Sequence, residues 1–208
     1  ITGSSPYGAL LTQRGYVLAL LGRLAEAAQI LERAITLGQV RRDTEVLVMA
    51  HTFSEAWCRF TGDAAGALHH ARRAVELAGA AASGLTTFLS SAALGDALLL
   101  NQQWSDAVAV LEQALAGMRE RQVGLSSETV ALAHLAQAVV ALGDVGRARV
   151  LADEAVTTAQ QRHTTEVEPL LARAHVLRLS DGARAAAAIE ADLQQAMAEV
   201  ERTEARAY

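Results

Sequence analysis

The sequence predicts an all-α solenoid of five antiparallel helix pairs, and three observations predict it. Five segments read alike: Leu31-Glu32-Arg33-Ala34-Ile35, Ala71-Arg72-Arg73-Ala74-Val75, Leu111-Glu112-Gln113-Ala114-Leu115, Ala152-Asp153-Glu154-Ala155-Val156 and Leu193-Gln194-Gln195-Ala196-Met197. Each runs apolar, polar, polar, alanine, apolar, and the alanines fall 40, 40, 41 and 41 residues apart. A period of this size marks small units that cannot bury their apolar faces alone and do so against their neighbours. The composition agrees: 51% of residues are apolar but only 4% aromatic, and alanine, the strongest helix former, dominates the apolar set. The two prolines, Pro6 and Pro169, leave long helices uninterrupted. A solenoid is continuous, so residues 1–208 read as one domain with units near 7–40, 43–80, 86–121, 127–162 and 165–204.

Each unit is expected to be a helical hairpin. Before the first pentad, Leu24 through Ile30 continues an amphipathic helix, and Leu21-Gly22-Arg23 separates it from an earlier helix over Leu11–Leu20. Equivalent breaks stand at Thr61-Gly62-Asp63, Asn101-Gln102-Gln103, Leu142-Gly143-Asp144 and Ser180-Asp181-Gly182. Glycine or asparagine suits a left-handed helix terminus, and Asp181 is suited to cap the helix that follows. So short a break forces an antiparallel pair. First helices are placed near 7–21, 43–60, 86–101, 127–142 and 165–180, the last entered through a Thr165/Glu168 capping box with Pro169 in its first turn. Second helices fall near 24–38, 63–78, 104–120, 145–161 and 182–203.

These hairpins resemble tetratricopeptide repeats. That family carries a small residue midway along its first helix, a glycine at the turn, and alanines early and late in its second helix. Gly15, Gly22, Ala27 and Ala34 take those places in the first unit, and Ala136, Gly143, Ala148 and Ala155 in the fourth. The third has Gly95, Trp104, Ala107 and Ala114, with Gln102 in the glycine's place. The second keeps Gly62, Ala67 and Ala74 but puts Glu55 at the small-residue place, and the fifth keeps Ala196 with Ile189 at the early alanine. The resemblance implies a right-handed superhelix whose concave face is made by first helices. The longer period is similar to that of arrays that follow an ATPase module in maltose-activator-like transcription regulators and class III adenylate cyclases. Glu201–Tyr208 is similar to the start of a further helix in such arrays, and a first residue Ile1 with no signal segment suggests a piece of a longer chain.

The chemistry-bearing residues point away from catalysis. The chain has no lysine, which excludes a Schiff base and the lysine of a phosphate loop. Its net charge of −5 argues against a phosphate-backbone binder, and no apolar run is long enough to span a membrane. Cys58, the single cysteine, reads as a buried thiol in a reducing, cytoplasmic setting. The adjacent His69 and His70 point about 100° apart on a helix, so they read as solvated surface histidines and not as a metal pair. His51 and Glu55 lack the spacing of a zinc-protease motif, and Gly143-Asp144-Val145-Gly146 follows a helix, so it is a turn and not a phosphate loop. No cofactor or metal is expected.

The charged residues Glu32, Arg33, Arg72, Arg73, Asp153 and Glu154 read as a solvated convex face. Carried over from the family's geometry, the concave face should include Tyr16, Met49, Thr52, Phe53, Arg59, Leu89, Asp96, His134, Gln137 and Arg178. The lysines and asparagines with which the family's chaperone-tail receptors grip a carboxylate are missing there. The function expected is a non-enzymatic interaction scaffold that receives a peptide, a helix or a sister domain of the parent protein in its groove. The alternative is an effector-sensing segment of a multidomain regulator, for which a closed apolar cavity with convergent polar groups would speak. On the final helix Ile189, Leu193, Met197 and Val200 form one apolar stripe, so self-association through that edge is a further expectation.

Overall fold

The computed structural model describes residues 5–81, 84–164 and 167–204. These contain the α-helices α1 (Pro6–Leu20), α2 (Leu24–Arg41), α3 (Thr44–Thr61), α4 (Ala64–Ala81), α5 (Gly84–Leu100), α6 (Trp104–Arg121), α7 (Glu128–Ala141), α8 (Val145–Arg162), α9 (Val167–Ser180) and α10 (Ala186–Thr203). No strand occurs among the described residues. Every expected helix is present. The chief differences are a 3₁₀ turn over Gly182–Ala185 that delays α10, and second helices that run up to three residues longer than expected. Glu201 to Thr203 form the last turn of α10, and residues 205–208 lie outside the described residues. Thr165, the first member of the expected capping box, lies outside the described residues.

The chain forms two compact units, one reaching to Asn101 and one spanning Gln102–Thr203, so that α1–α5 belong to the first and α6–α10 to the second. In the first unit each helix packs on its successor, and α3 also lies against α1 and α5. In the second, α6, α7, α8, α9 and α10 pack in order, and α7 also lies against α9.

Local chemistry sets the helix ends. Ser5 caps α1 by accepting from the Gly8 amide, with Pro6 at the first helical position. Asp43, Asp63 and Asp144 cap α3, α4 and α8 through the amides of Val46, Gly66 and Arg147. Asp43 also accepts from the Ser5 amide at 2.6 Å and so ties the start of α1 to the start of α3. Asp181 does not cap α10: its carboxylate accepts from Arg149 at 2.7 Å, a cation it meets only in the folded chain. The hairpin turns are left-handed, at Gly22, Gly62 and Gly143 (φ 72°, 76° and 89°), and Gln102 holds the same conformation at φ 59°. The ends of second helices repeat it without glycine, at Arg42, Gln122, His163 and Glu204.

The pentad alanines are the centre of the packing. Ala34, Ala74, Ala114, Ala155 and Ala196 are all at most 4% exposed. In the first unit Leu11, Ala34 and Ala50 join α1, α2 and α3, and Leu18, Ala19 and Ala27 cluster beneath Trp57 and Phe60. The Trp57 indole donates to the Leu24 carbonyl at 2.8 Å, so even its polar edge is satisfied within the stack. Cys58 is buried with Ala67, Ala71 and Ala97 where α3, α4 and α5 meet, and burial is the main cause that pushes its thiol up to about 11. In the second unit Val156, Leu170 and Ala196 join α8, α9 and α10.

Two substitution pairs test this packing. Ala114→Glu buries a charge in a filled contact and should cost several kcal/mol. Glu112→Ala loses only a solvent-exposed pair with Arg147, and should cost about 0.5 kcal/mol. Equal shifts in urea midpoint would show that the buried face is misassigned. Glycines supply the second pair. A Cβ at Gly15 would lie 2.7 Å from Leu31, whereas one at Gly79 would meet nothing within 4 Å. Gly79→Ala, in the exposed face of α4, should stabilise by roughly 0.5–1 kcal/mol, and Gly15→Ala should destabilise by about 1 kcal/mol once overpacking offsets the helix gain.

Candidate functional site

First helices sit side by side within each unit, so residues of α1, α3 and α5 share one face, and residues of α7 and α9 another. In the first unit the expected residues come together in two groups. Tyr16 on α1 and Phe53 on α3 stack with ring centroids 4.7 Å apart and planes inclined by 15°. Both rings are half-buried, as are Met49 and Leu89. This is an aromatic platform in the usual offset-stacked arrangement, with surface left for contact.

The second group is polar. Arg59 Nε on α3 lies 3.5 Å from the Asp96 carboxylate on α5, and Asp96 is almost fully buried while Arg59 keeps partial exposure. Between them sits Glu55, only 3% exposed and hydrogen-bonded to Asp96. Two carboxyls in contact within a dry interior cannot both ionise. Burial first, then the charge of Asp96, pushes Glu55 well above the usual carboxylate range, and Arg59 opposes the shift. One proton between the two carboxyls lets them meet as donor and acceptor. In sequence it was visible as a departure from a small residue, but nothing at that level showed that α5 would bring Asp96 to meet it.

The remaining expected residues are more dispersed. Thr52 and His134 are buried, so they shape the faces from beneath. Gln137 is half-buried on α7. Arg178 is exposed at the end of α9, with its guanidinium 3.4 Å from His175 Nδ1. Burial and that cation lower the histidine's pKa.

Three further groupings were not legible as sites. His70 is not a solvated histidine: its Nδ1 lies 2.9 Å from Nδ1 of His51, across α3 and α4, while His69 is exposed. One ring must donate and the other accept, so the pair cannot be doubly protonated. Burial, His70, Arg73 and His69, in that order, bring His51 down to about 4. Among the described residues no three histidine, cysteine or carboxylate side chains gather as metal ligands. In the second unit, buried Glu128 at the start of α7 accepts from Arg119 Nε at 2.5 Å and also from Arg162. Arg119 reaches on to Glu154, which is thereby removed from the freely solvated face expected of it. Arg173 makes a two-pronged contact with buried Asp192, joining α9 to α10.

With this geometry in view, comparison with solved structures is informative. A putative kinesin light chain from Podosopora anserina with nearly identical TPR-like repeats is similar over 94% of this chain and 95% of that one, with a TM-score of 0.62 and 18% identity. A Rap protein complexed with competence and sporulation factor matches over 93% of this chain with a TM-score of 0.73 and 12% identity. This chain spans about half of that protein, 54%. Bacillus thuringiensis PlcR, solved with the peptide PapR7 and DNA, matches over 97% of this chain and 72% of its own, with a TM-score of 0.74 and 12% identity. The fold is that of a TPR-type helical repeat. No protein-family model and no curated protein matches the chain. In a repeat of this type the departures from consensus carry the individuality, and Glu55 is the buried one.

The titrating groups make a signed prediction. A carboxyl raised above its unfolded value, as Glu55 is, stabilises the fold at low pH and loses that contribution as pH rises through the folded value. Glu55→Gln keeps the shape and a hydrogen-bond donor, so its advantage in urea unfolding should grow from about pH 5 to pH 8. His51 acts in the other window: a base depressed from 6.5 to about 4 contributes fully above 6.5 and loses it as pH falls toward 4. A Glu55→Gln difference that is flat with pH would place the proton elsewhere.

Proposed function

We propose that the chain is a non-enzymatic interaction scaffold that binds a peptide, a helix or a sister domain on the faces made by its first helices. The observation that carries this reading is the half-exposed Tyr16–Phe53 stack, flanked on α3 by Met49. Rigid aromatic rings with one face available are the side chains that dominate recognition energies. Leu89 extends the apolar surface in this reading, and Arg59 offers the partly exposed polar contact beside it, held in place by Asp96. Gln137 and Arg178 are the residues through which the second unit would take part, with Thr52 and His134 supporting from below. One of the similar structures, PlcR, was solved with the peptide PapR7, which favours a peptide or helix as the class of partner here. Other domains of a longer bacterial signalling protein, in a cytoplasmic setting, are the partners this reading favours. No helix among the described residues is long and apolar enough to cross a membrane.

The effector-sensing alternative gains little. An open cleft of about 370 Å³ in the second unit is lined by Arg149, Asp153, Arg173, Leu177 and Asp192, but its charges already meet one another or Asp181. A small effector would have to displace those pairs.

Panning a displayed random-peptide library against the chain tests the proposal. Selected peptides should lose about tenfold or more in affinity on Phe53→Ala or Tyr16→Ala, the scale of an aromatic hot spot, and none on Glu112→Ala. Peptides indifferent to both aromatic substitutions would place recognition on another surface.

A further inference from the structure

Two apolar stripes remain exposed, one on α1 and one on α10, and the repeat explains both. On α1 the exposed residues Tyr7, Leu10 and Val17 follow helical spacing. One repeat later in the sequence, 40 residues on, their equivalents are Leu47, Ala50 and Trp57 of α3. Those residues are the surface by which α3 seats on the preceding second helix. Leu47 lies against Gly38, Ala50 clusters with Ala34, and Trp57 packs near Ala27 and donates to the Leu24 carbonyl. The α1 stripe is therefore the face on which a preceding second helix would sit.

The α10 stripe is its complement. Leu193 is the first residue of the fifth pentad and is 41% exposed, whereas Leu31, Ala71, Leu111 and Ala152 at the same place are at most 2% exposed. Met197, at the pentad's last place, is 65% exposed, against 4% for Leu115 and 1% for Val156. Where a following first helix is present it does the covering: Ala97 of α5 packs on Ala71, and Leu170 of α9 on Val156. Ile189 and Val200 extend the stripe and are half-buried.

We propose that the α1 face of one copy docks on the α10 face of another, repeating the α2–α3 interface between molecules. This goes beyond the proposed first-helix recognition and uses neither of its faces. The interface would continue one already built inside the chain, with the same register and antiparallel sense, which is why a second copy is the fitting occupant. Charge agrees with it. Exposed Arg14 lies within the α1 stripe, and exposed Glu190 and Glu201 flank the stripe of α10. Docked in the α2–α3 register, Arg14 takes the place of Ser54. Tyr7 carries Arg33 over one ring face, 5.8 Å from its centroid, and remains 47% exposed. Because the two faces differ, the contact is head-to-tail, and a dimer keeps one open face of each kind.

Sedimentation equilibrium on the whole chain tests this. The patch is small by the standard of stable interfaces, so association should appear at about 0.1 mM, with average mass rising about twofold between dilute and concentrated samples. Leu10→Glu and Met197→Glu change exposed side chains, so both should keep the parent's circular dichroism, and each alone should be monomeric. Mixed in equal amounts, the two variants retain one good face of each kind and should form a dimer that grows no further. A parent monomeric at the highest concentration would overturn the proposal. So would association abolished by Met197→Glu but untouched by Leu10→Glu, the mark of two α10 faces meeting each other. Failure of the mixture to form a dimer would overturn it too.

Discussion

Everything in this molecule depends on an alanine at the point of closest approach between helices. At the pentad position the side chain is a methyl group, and five alanines there are almost wholly buried. Small side chains let backbones approach until neighbouring apolar residues interdigitate at interior density. With few aromatics to fill space, the core is built from many close helix contacts and not from a few large side chains. Gly15 belongs to the same constraint, since Leu31 occupies the volume a Cβ would need.

On this frame the charged residues divide by depth. Exposed pairs such as Arg23–Glu26 decorate single helices and contribute little. The buried carboxylates do more, because each is committed to a partner on another helix. Glu128 holds arginines from α6 and α8, Asp192 holds Arg173, and Asp96 holds Arg59 beside the buried carboxyl of Glu55. Removing one partner from such a set leaves a charge without its compensation, so these groups specify which helices meet. One such set, Glu55, Arg59 and Asp96, ties α3 to α5, the helices that carry Phe53 and Leu89 of the face proposed for recognition.

The fold was legible to an unusual degree because repetition supplies the signal several times over. An ambiguous turn in one unit, such as Asn101-Gln102-Gln103, is read correctly by analogy with Gly62 and Gly143, and Gln102 duly adopts the left-handed conformation that glycine holds elsewhere. The site was legible only in part. The family's geometry placed Tyr16, Phe53, Arg59 and Asp96 on one face, and the structure brings Tyr16 to Phe53 and Arg59 to Asp96. The same geometry named Thr52 and His134, which are buried.

The sequence by itself determined the number of helices, their pairing, their turns and the buried alanine of each unit. These depend on local propensity and on spacing, both of which are written along the chain. Only the tertiary structure decided which side chains from different helices share a microenvironment. His51 met His70, Glu55 met Asp96, and Asp181 turned from a cap into a partner for Arg149. Burial and protonation state follow from such meetings: a carboxyl becomes neutral, or a histidine weakly basic, only when another helix removes its water. No period in the sequence encodes which neighbour does so.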